Sequence, residues 1–248
     1  MLEKKVNFIV DWLRALTKKA NARGLLVGVS GGVDSALAAF LIKKACPDHS
    51  LGVIMPCKSD QQDEEDAFHV VRAARLKHVH IDLTKTHGML LDEIRQVTEA
   101  EKWSEEAAKS RLVDANLRAR LRMSTLYALA QHYQYLVVGT DNAAEWHLGY
   151  FTKYGDGGAD CVPLANLTKG EVREWARYVG VPQEIIDKAP SAGLWEGQTD
   201  EEELGLSYDV VDRYLKGEAV PSREREMIER MHRQSEHKRT LPPKPPVF

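Results

Sequence analysis

Along the chain, short apolar runs alternate with longer segments in which apolar residues recur at helical spacing. We predict a strand at each apolar run and a helix in each longer segment. The predicted strands are 25–29, 51–55, 79–83 and 136–139, and the predicted helices between and after them are 33–46, 62–76, 86–110 and 114–133. This alternation indicates an α/β fold, a doubly wound, mostly parallel sheet with helices on both faces. Ligands bind such sheets outside the carboxyl ends of the strands.

The two ends of the sequence add flanking elements and no second domain. Residues 1–20 form an amphipathic pattern with charges inside its apolar portion, which predicts a helix and excludes a signal peptide. A charged helix is predicted at about 222–237, followed by an extended proline-rich end. Because no shift in composition marks a boundary, we expect residues 1–248 to form one domain.

The composition is that of an ordinary globular protein and argues against two classes, nucleic-acid binders and membrane-spanning proteins. The 248 residues are 43% hydrophobic and 29% charged, with a formal charge of −3. This charge argues against a dedicated nucleic-acid binder, and polar residues interrupt the longest apolar stretch, so we expect no membrane span. The three cysteines show no paired spacing, which predicts reduced thiols in a cytoplasmic protein.

The segment GVSGGVDSALAAFL, residues 28–41, follows the first predicted strand and enters a helix that begins near Val33. Gly31 and Gly32 let backbone amides approach a phosphate, Ser30 and Ser35 offer hydroxyl donors, and the helix N-terminus is electropositive. The lysine of a GxxxxGK[ST] loop is missing, and Asp34 lies near the end of the loop instead. An aspartate beside phosphates needs a cation between them, so we interpret Asp34 as a Mg²⁺ ligand. A solvated turn that caps the helix is the simpler alternative.

This SGGxDS signature resembles the loop of the ATP pyrophosphatases, the adenine nucleotide alpha hydrolase-like enzymes. These enzymes adenylylate a carboxylate or carbonyl oxygen and release pyrophosphate, and a nitrogen or sulfur nucleophile then displaces AMP. The resemblance implies a reaction class in which the loop grips the departing pyrophosphate. It leaves the acceptor substrate open.

The segment 139–205 narrows the substrate. It contains GTDNAAE, GYFTKYGDGGAD, PLANLTK and KAPSAGLWEGQTDEEELG, and the chain also carries ARLRM at 119–123 and EHKR at 236–239. Together with SGGVDS, these motifs resemble the ammonia-dependent NAD synthetases over nearly the whole chain. The resemblance implies a homodimer that amidates deamido-NAD with ammonia and ATP through an acyl-adenylate, releasing pyrophosphate and AMP.

The resemblance also assigns residues, position by position. It implies ATP contacts at Gly28, Val29, Ser30, Gly31, Gly32, Val33, Asp34, Ser35, Thr140, Lys169 and Ser191. It implies deamido-NAD contacts at Arg120, Lys153, Asp160, His237 and Lys238. Asp34 and Glu145 are the implied Mg²⁺ ligands, and no residue is assigned as a catalytic acid, base or nucleophile.

Local chemistry offers simpler explanations for several of these positions. Glu145 could be a solvated acid in a first helical turn, and Lys169 could be exposed after a cap at Thr168. Arg118 and Arg122 share a helix face opposite Arg120, and we expect both to be ordinary surface arginines. The alternating His78 and His80 have no second cluster that would make a metal site. The charged segment 84–112 carries no recognisable motif, and whether it forms a mobile lid is left open.

Two other functions compete with NAD synthesis. The first is another ATP pyrophosphatase, either GMP synthetase-like or tRNA-thiolating, although thiolation calls for reactive cysteines and a basic face. The second is a non-catalytic adenine-nucleotide sensor, which would not need Asp34 and Glu145 as a metal pair. Because synthetase motifs occupy the sequence, we expect no glutaminase domain and free ammonia as the nitrogen donor.

Overall fold

The computed structural model describes residues 2–98, 107–190 and 199–247. Four parallel strands form one sheet in the order β3–β2–β1–β4, which matches the predicted fold class. The strands are β1 (Gly24–Gly28), β2 (Ser50–Ile54), β3 (Lys77–His80) and β4 (Tyr135–Val138). All four predicted strands are present. The chain runs outward from β1 through β2 to β3 and then returns to place β4 on the other side of β1, so the sheet's switch point lies between β1 and β4.

Helices cover both faces of the sheet. They are α1 (Leu2–Lys19), α2 (Val33–Ala45), α3 (Gln61–Ala73), α4 (Thr84–Val97), α5 (Ala107–Tyr133), α6 (Ala143–Leu148), α7 (Lys169–Val179), α8 (Gln183–Asp187), α9 (Asp200–Leu204), α10 (Tyr208–Leu215), α11 (Ser222–Gln234) and α12 (Glu236–Arg239). Within these described elements, none is long and apolar enough to cross a membrane.

The single helix predicted at 86–110 is wrong. Helix α4 ends at Val97, and Thr98 forms its C-terminal cap, with a backbone N–H and a hydroxyl that both donate to the Ile94 carbonyl. A threonine that bonds back to its own helix competes with continuation of the helix, and its periodicity alone does not reveal this. Within the segment 84–112, for which a mobile lid was left open, residues 99–106 lie outside the described residues.

The alternation of side chains along the strands produces two separate cores. Leu25 and Val27 of β1 pack with α1, α2, α3 and α7, whereas Leu26 packs with α5 on the opposite face. Helix α2 is buried on nearly all sides between the sheet and its neighbouring helices, which fits its uniformly apolar sequence. The first turn of α2, directly after β1, is thereby fixed at the sheet's carboxyl edge.

A third apolar cluster joins α6 to the helices of the C-terminal part. Basic side chains of α12 then close the carboxyl end of α6. Lys238 Nζ donates to the Gly149 and Phe151 carbonyls at 2.7 and 2.6 Å, and an Arg239 Nη1 donates to the Trp146 and His147 carbonyls. Cations at a helix C-terminus satisfy its last carbonyls and its dipole. The position of α6 therefore depends on residues about 90 positions later in the chain.

Candidate active site

The loop between β1 and α2 presents the N-terminus of a buried helix. Gly32 is the N-cap of α2, and no side chain caps the helix there. Gly31 has a φ of +88°, and a Cβ at this position would lie 2.6 Å from the Asp63 carbonyl oxygen. The Ser35 hydroxyl accepts the Ser30 N–H at 3.1 Å and donates to the Gly32 carbonyl at 3.0 Å. The loop is thus braced internally, and the first-turn amides of α2 are left for a ligand, as an anion site requires.

The segment after β4 lies beside this loop, as the sequence predicts. Asn142 is the N-cap of α6 and forms a capping box with Glu145, whose Oε2 accepts the Asn142 backbone N–H at 3.1 Å. The Asn142 side-chain amide also donates to Asp34 Oδ1 at 2.9 Å. One asparagine therefore fixes the two predicted metal ligands, and the sequence analysis did not single it out.

Lys169 joins the two acids directly. Its Nζ lies 2.6 Å from Asp34 Oδ2 and 3.2 Å from Glu145 Oε1, and its side chain is only 2% exposed. Thr168 does cap α7 through a capping box, as the local alternative supposed, but the exposed Lys169 of that alternative is wrong. The helix is oriented so that its first residue faces the cleft between β1 and β4, where the carboxylates compensate for the burial of the ammonium.

Charge and burial act against each other at this cluster. Burial lowers the pKa of Lys169, but the Asp34 and Glu145 carboxylates more than offset this effect and leave the pKa above its usual value. Burial raises the pKa of Glu145 to about 7, against the lowering effect of Lys169. Asp141, buried next to Thr140, has a pKa well above the usual value, because of burial and nearby carboxylates. The site is therefore rich in acidic groups, and the Lys169 ammonium lies between two of them.

Hydroxyl groups from the C-terminal part hold the acids from the other side. Tyr208 Oη lies 3.0 Å from both Glu145 Oε1 and Asp200 Oδ2, and its ring centroid is 4.6 Å from Lys169 Nζ. Tyr150 Oη reaches Asp200 Oδ1 at 3.3 Å. Sequence reasoning missed Tyr208 and Asp200 as members of the site. Asp200 lies in a motif that local capping chemistry already explained, and Tyr208 has no local signal.

A buried acid of α10, Asp212, binds the N-terminus of α7 and so sets the position of Lys169. Asp212 accepts the Lys169 and Gly170 backbone N–H groups at 3.0 and 2.8 Å.

We expect Asp212→Ala to lower the free energy of unfolding by about 2 kcal/mol, since a charged cap is lost and two amides are left buried. Denaturant melts would measure this. The exposed Asp209 of α10 is the control, and an equal loss in Asp209→Ala would contradict the capping role.

The donor set fits a magnesium ion. Two carboxylates from opposite sides of the switch point converge on one cation position, beside amides suited to phosphates. Among the residues the structure describes, no group of three or more His, Cys, Asp or Glu side chains could hold a metal. One or two carboxylates, with the remaining ligands from phosphates and water, is how Mg²⁺ binds at nucleotide sites.

Four of the five residues assigned to the dinucleotide lie near one another. Arg120 Nε donates to the Lys153 carbonyl at 3.4 Å, and Lys153 Nζ donates to the His237 carbonyl at 2.5 Å. Lys238 follows on the same short helix. Asp160 lies farther along, where its Oδ2 accepts the Val137 N–H of β4 at 2.8 Å. Arg120, Lys153 and His237 thus gather at one surface, whereas the Lys238 ammonium is held by the Gly149 and Phe151 carbonyls and Asp160 anchors the 149–160 loop to the sheet.

The remaining assigned positions have different outcomes. Thr140 is half-buried in the segment between β4 and α6. Ser191 lies outside the described residues. Arg118 and Arg122 were expected at the surface, and this expectation is wrong. Arg122 is half-buried and donates to the Met55 carbonyl and Ser59 Oγ at 3.0 and 3.1 Å, because its helix face lies against the end of β2, and the Arg118 side chain on the same face is 11% exposed.

The chain is similar to known proteins over nearly its whole length. The sequence model described as NAD synthase matches residues 5–242. An NH₃-dependent NAD⁺ synthetase from Alkaliphilus oremlandii is 51% identical over 99% of this chain and 98% of its own. The solved NMN synthetase from Francisella tularensis is 39% identical, with a TM-score of 0.92 over 100% of this chain and 99% of its own. The NAD⁺ synthetase from Burkholderia pseudomallei is 28% identical, with a TM-score of 0.79 over 98% and 91%.

Proposed function

The chain belongs to the NAD synthase family, and on that premise we propose that it amidates deamido-NAD to NAD with ATP and ammonia. The reaction passes through an acyl-adenylate, releases pyrophosphate in the first step and releases AMP in the second. The observation that carries the proposal is the convergence of Asp34 and Glu145 beside the phosphate loop, at the sheet's switch point.

The chain's residues can supply each requirement of adenylylation. The first-turn amides of α2 and the backbone at Gly31 bind the β- and γ-phosphates, which leave together. We propose that Asp34 and Glu145 hold Mg²⁺, which when bound supplies positive charge to the phosphate oxygens. Lys169 adds a second cation to this region, and Thr140 and Ser191 complete the ATP contacts. Two anionic reactants can meet only when such groups balance their charge.

The nicotinate carboxylate has to be presented to the α-phosphate. We propose that Arg120, Lys153, His237 and Lys238 bind the substrate's phosphates, with Asp160 at a ribose or amide group. Attachment of AMP converts the carboxylate into an electrophile with a good leaving group. Free ammonia then attacks the carbonyl carbon, the C–O bond to AMP breaks, and the nitrogen loses a proton to give the amide.

A second acceptor substrate, the nicotinate mononucleotide, follows from one comparison. The Francisella tularensis NMN synthetase has both a higher identity and a higher TM-score to this chain than the Burkholderia pseudomallei NAD⁺ synthetase does. The reaction at the carboxylate would be identical, and only the adenylate half of the acceptor would be missing. The 51% identity to an NAD⁺ synthetase favours the dinucleotide as the first choice.

We infer three further properties of the working protein. It is a homodimer, which exposed apolar side chains such as Phe8 on α1 and Leu112 on α5 support. It acts in the cytoplasm, which its three free cysteines support. It works as a single catalytic unit, which the continuous family match over residues 5–242 supports. Light scattering tests the dimer, and a monomer at micromolar concentration would contradict it.

One assay tests the function. Protein, Mg-ATP and ammonium chloride are combined with deamido-NAD, with nicotinate mononucleotide or with neither, and pyrophosphate and the amide product are measured. We expect pyrophosphate release to require an acceptor and the higher kcat/KM to be found with deamido-NAD. A higher value with the mononucleotide would establish the second candidate. Release without any acceptor would contradict both.

A further inference from the structure

We propose that the ammonium of Lys169 occupies the metal position while the protein is free of nucleotide, and that the metal and Lys169 exchange places when Mg-ATP binds. The proposal rests on the metal site put forward above. It adds that metal entry has to displace a resident cation, and that the displaced cation becomes available to the triphosphate. Metal binding and phosphate binding are then a single coupled event.

The hydrogen bonds around the two acids leave one position for a cation. Asn142 uses one oxygen of each carboxylate, because its side-chain amide donates to Asp34 Oδ1 and its backbone N–H donates to Glu145 Oε2. The other two oxygens, Asp34 Oδ2 and Glu145 Oε1, both face Lys169 Nζ, and Glu145 Oε1 also accepts the Tyr208 hydroxyl at 3.0 Å. A metal that takes one oxygen from each acid therefore needs the two oxygens that now hold the ammonium.

The charges at the site favour an exchange over a permanent ion pair. Two acids share the single ammonium of Lys169, and a third acid, Asp200, lies nearby, so one monovalent cation serves several acidic groups. A divalent cation in place of the ammonium balances both carboxylates. The released lysine carries its charge to an anionic phosphate instead of to solvent, so no buried charge is left unpaired.

The side chain of Lys169 is held by contacts that permit such a change. Its backbone is fixed, since Asp212 caps the helix at Lys169 itself. Its Nζ has a ring contact with Tyr208 besides the two carboxylates. Because the lysine stem has four rotatable bonds, the ammonium can move while the helix stays in place.

Manganese binding tests the exchange without any turnover. Free Mn²⁺ is measured by electron paramagnetic resonance with wild type, Lys169→Met, Lys169→Arg and the charge control Lys43→Met, with and without α,β-methylene ATP. Lys43 lies on the same α2 helix as Asp34, and its ammonium donates to the Pro47 carbonyl at the surface. Without nucleotide, we expect Lys169→Met to bind Mn²⁺ at least about tenfold more tightly than wild type, whereas Lys169→Arg and Lys43→Met should not.

The outcomes separate the two proposals. Failure of wild type to bind Mn²⁺ even with the nucleotide analogue would overturn the metal site and, with it, the exchange. Normal binding with the analogue, but no gain in nucleotide-free Lys169→Met, would overturn the exchange alone. If Lys169→Met folds only when Mn²⁺ or Mg²⁺ is added, that metal dependence supports the exchange, because the unpaired acids then need another cation.

If Lys169→Met does not fold at all, a measurement on wild type still tests the exchange. Lysine ¹³Cε signals are recorded by NMR, and the Lys169 signal is assigned by its loss in Lys169→Arg. We expect this signal to shift when Mg²⁺ and the analogue are added together. An unchanged signal at saturation would overturn the exchange.

Discussion

Asp34→Asn and Glu145→Gln are each expected to lower turnover by about 1,000-fold while changing the free energy of unfolding by about 1 kcal/mol or less. The small effect on stability follows from the shared ammonium. Lys169 pairs with both acids, so removal of one charge leaves an ordinary pair of one cation and one anion. The large effect on rate follows because the proposed metal keeps only one carboxylate ligand.

Pyrophosphate release under saturating Mg-ATP and thermal melts measure the two effects. Asp63→Asn is the control for loss of one acid from a shared lysine, because Asp63 and Asp66 both pair with Lys188 and neither is a proposed metal ligand, although both residues lie against Gly31. We expect it to be as stable as the other two variants and to keep most of its turnover. Turnover of Asp34→Asn within about tenfold of wild type would argue against a metal at this position.

Gly31→Ala is expected to lower both stability and turnover, with a loss of about 2 to 4 kcal/mol in the free energy of unfolding. The residue has a φ of +88°, which alanine rarely adopts, and the added Cβ would lie 2.6 Å from the Asp63 carbonyl oxygen and 2.9 Å from Asp66 Cβ. These atoms belong to α3, so the loop has to move away from it. Such a shift of the phosphate amides should lower turnover by about 100-fold or more.

Gly32→Ala isolates the cause of the stability loss. Its φ is −86°, and the one atom within 4 Å of an added Cβ is Ser30 Oγ at 3.5 Å. We therefore expect Gly32→Ala to cost about 1 kcal/mol at most, as for alanine at an N-cap. Equal losses in the two variants, measured by urea melts, would show that the backbone conformation at Gly31 is not the reason.

The sequence predicted the fold and the position of the glycine loop between β1 and α2 well because both depend on local patterns. Strand and helix periodicity placed β1 before the loop, and parallel-sheet geometry brought the segment after β4 beside it. The Asn142–Asp34 hydrogen bond confirms that neighbourhood. The helix predicted at 86–110 was wrong because Thr98 ends α4 through a bond that periodicity does not register.

The sequence could not predict what surrounds the acids. Lys169 is 135 residues from Asp34 in the chain, and as the first residue of a capped helix it had every local reason to be exposed. The burial of Arg122 could not be predicted for the same reason. A helical wheel shows which residues share a face of the helix, but it does not show which part of the protein packs against that face. A single capping signal, Asn142 three residues before Glu145, could have been recognised in advance.

The closure of α6 by Ser235, Lys238 and Arg239 has a consequence for synthesis of the protein on the ribosome. These side chains bond to the carbonyls of residues 146–149 and 151, across separations of 87 to 93 residues. At about 5 to 20 residues per second, α6 and its Glu145 wait roughly 4 to 20 seconds for their partners to be made. During that interval the helix that carries Glu145 lacks the contacts that hold its carboxyl end.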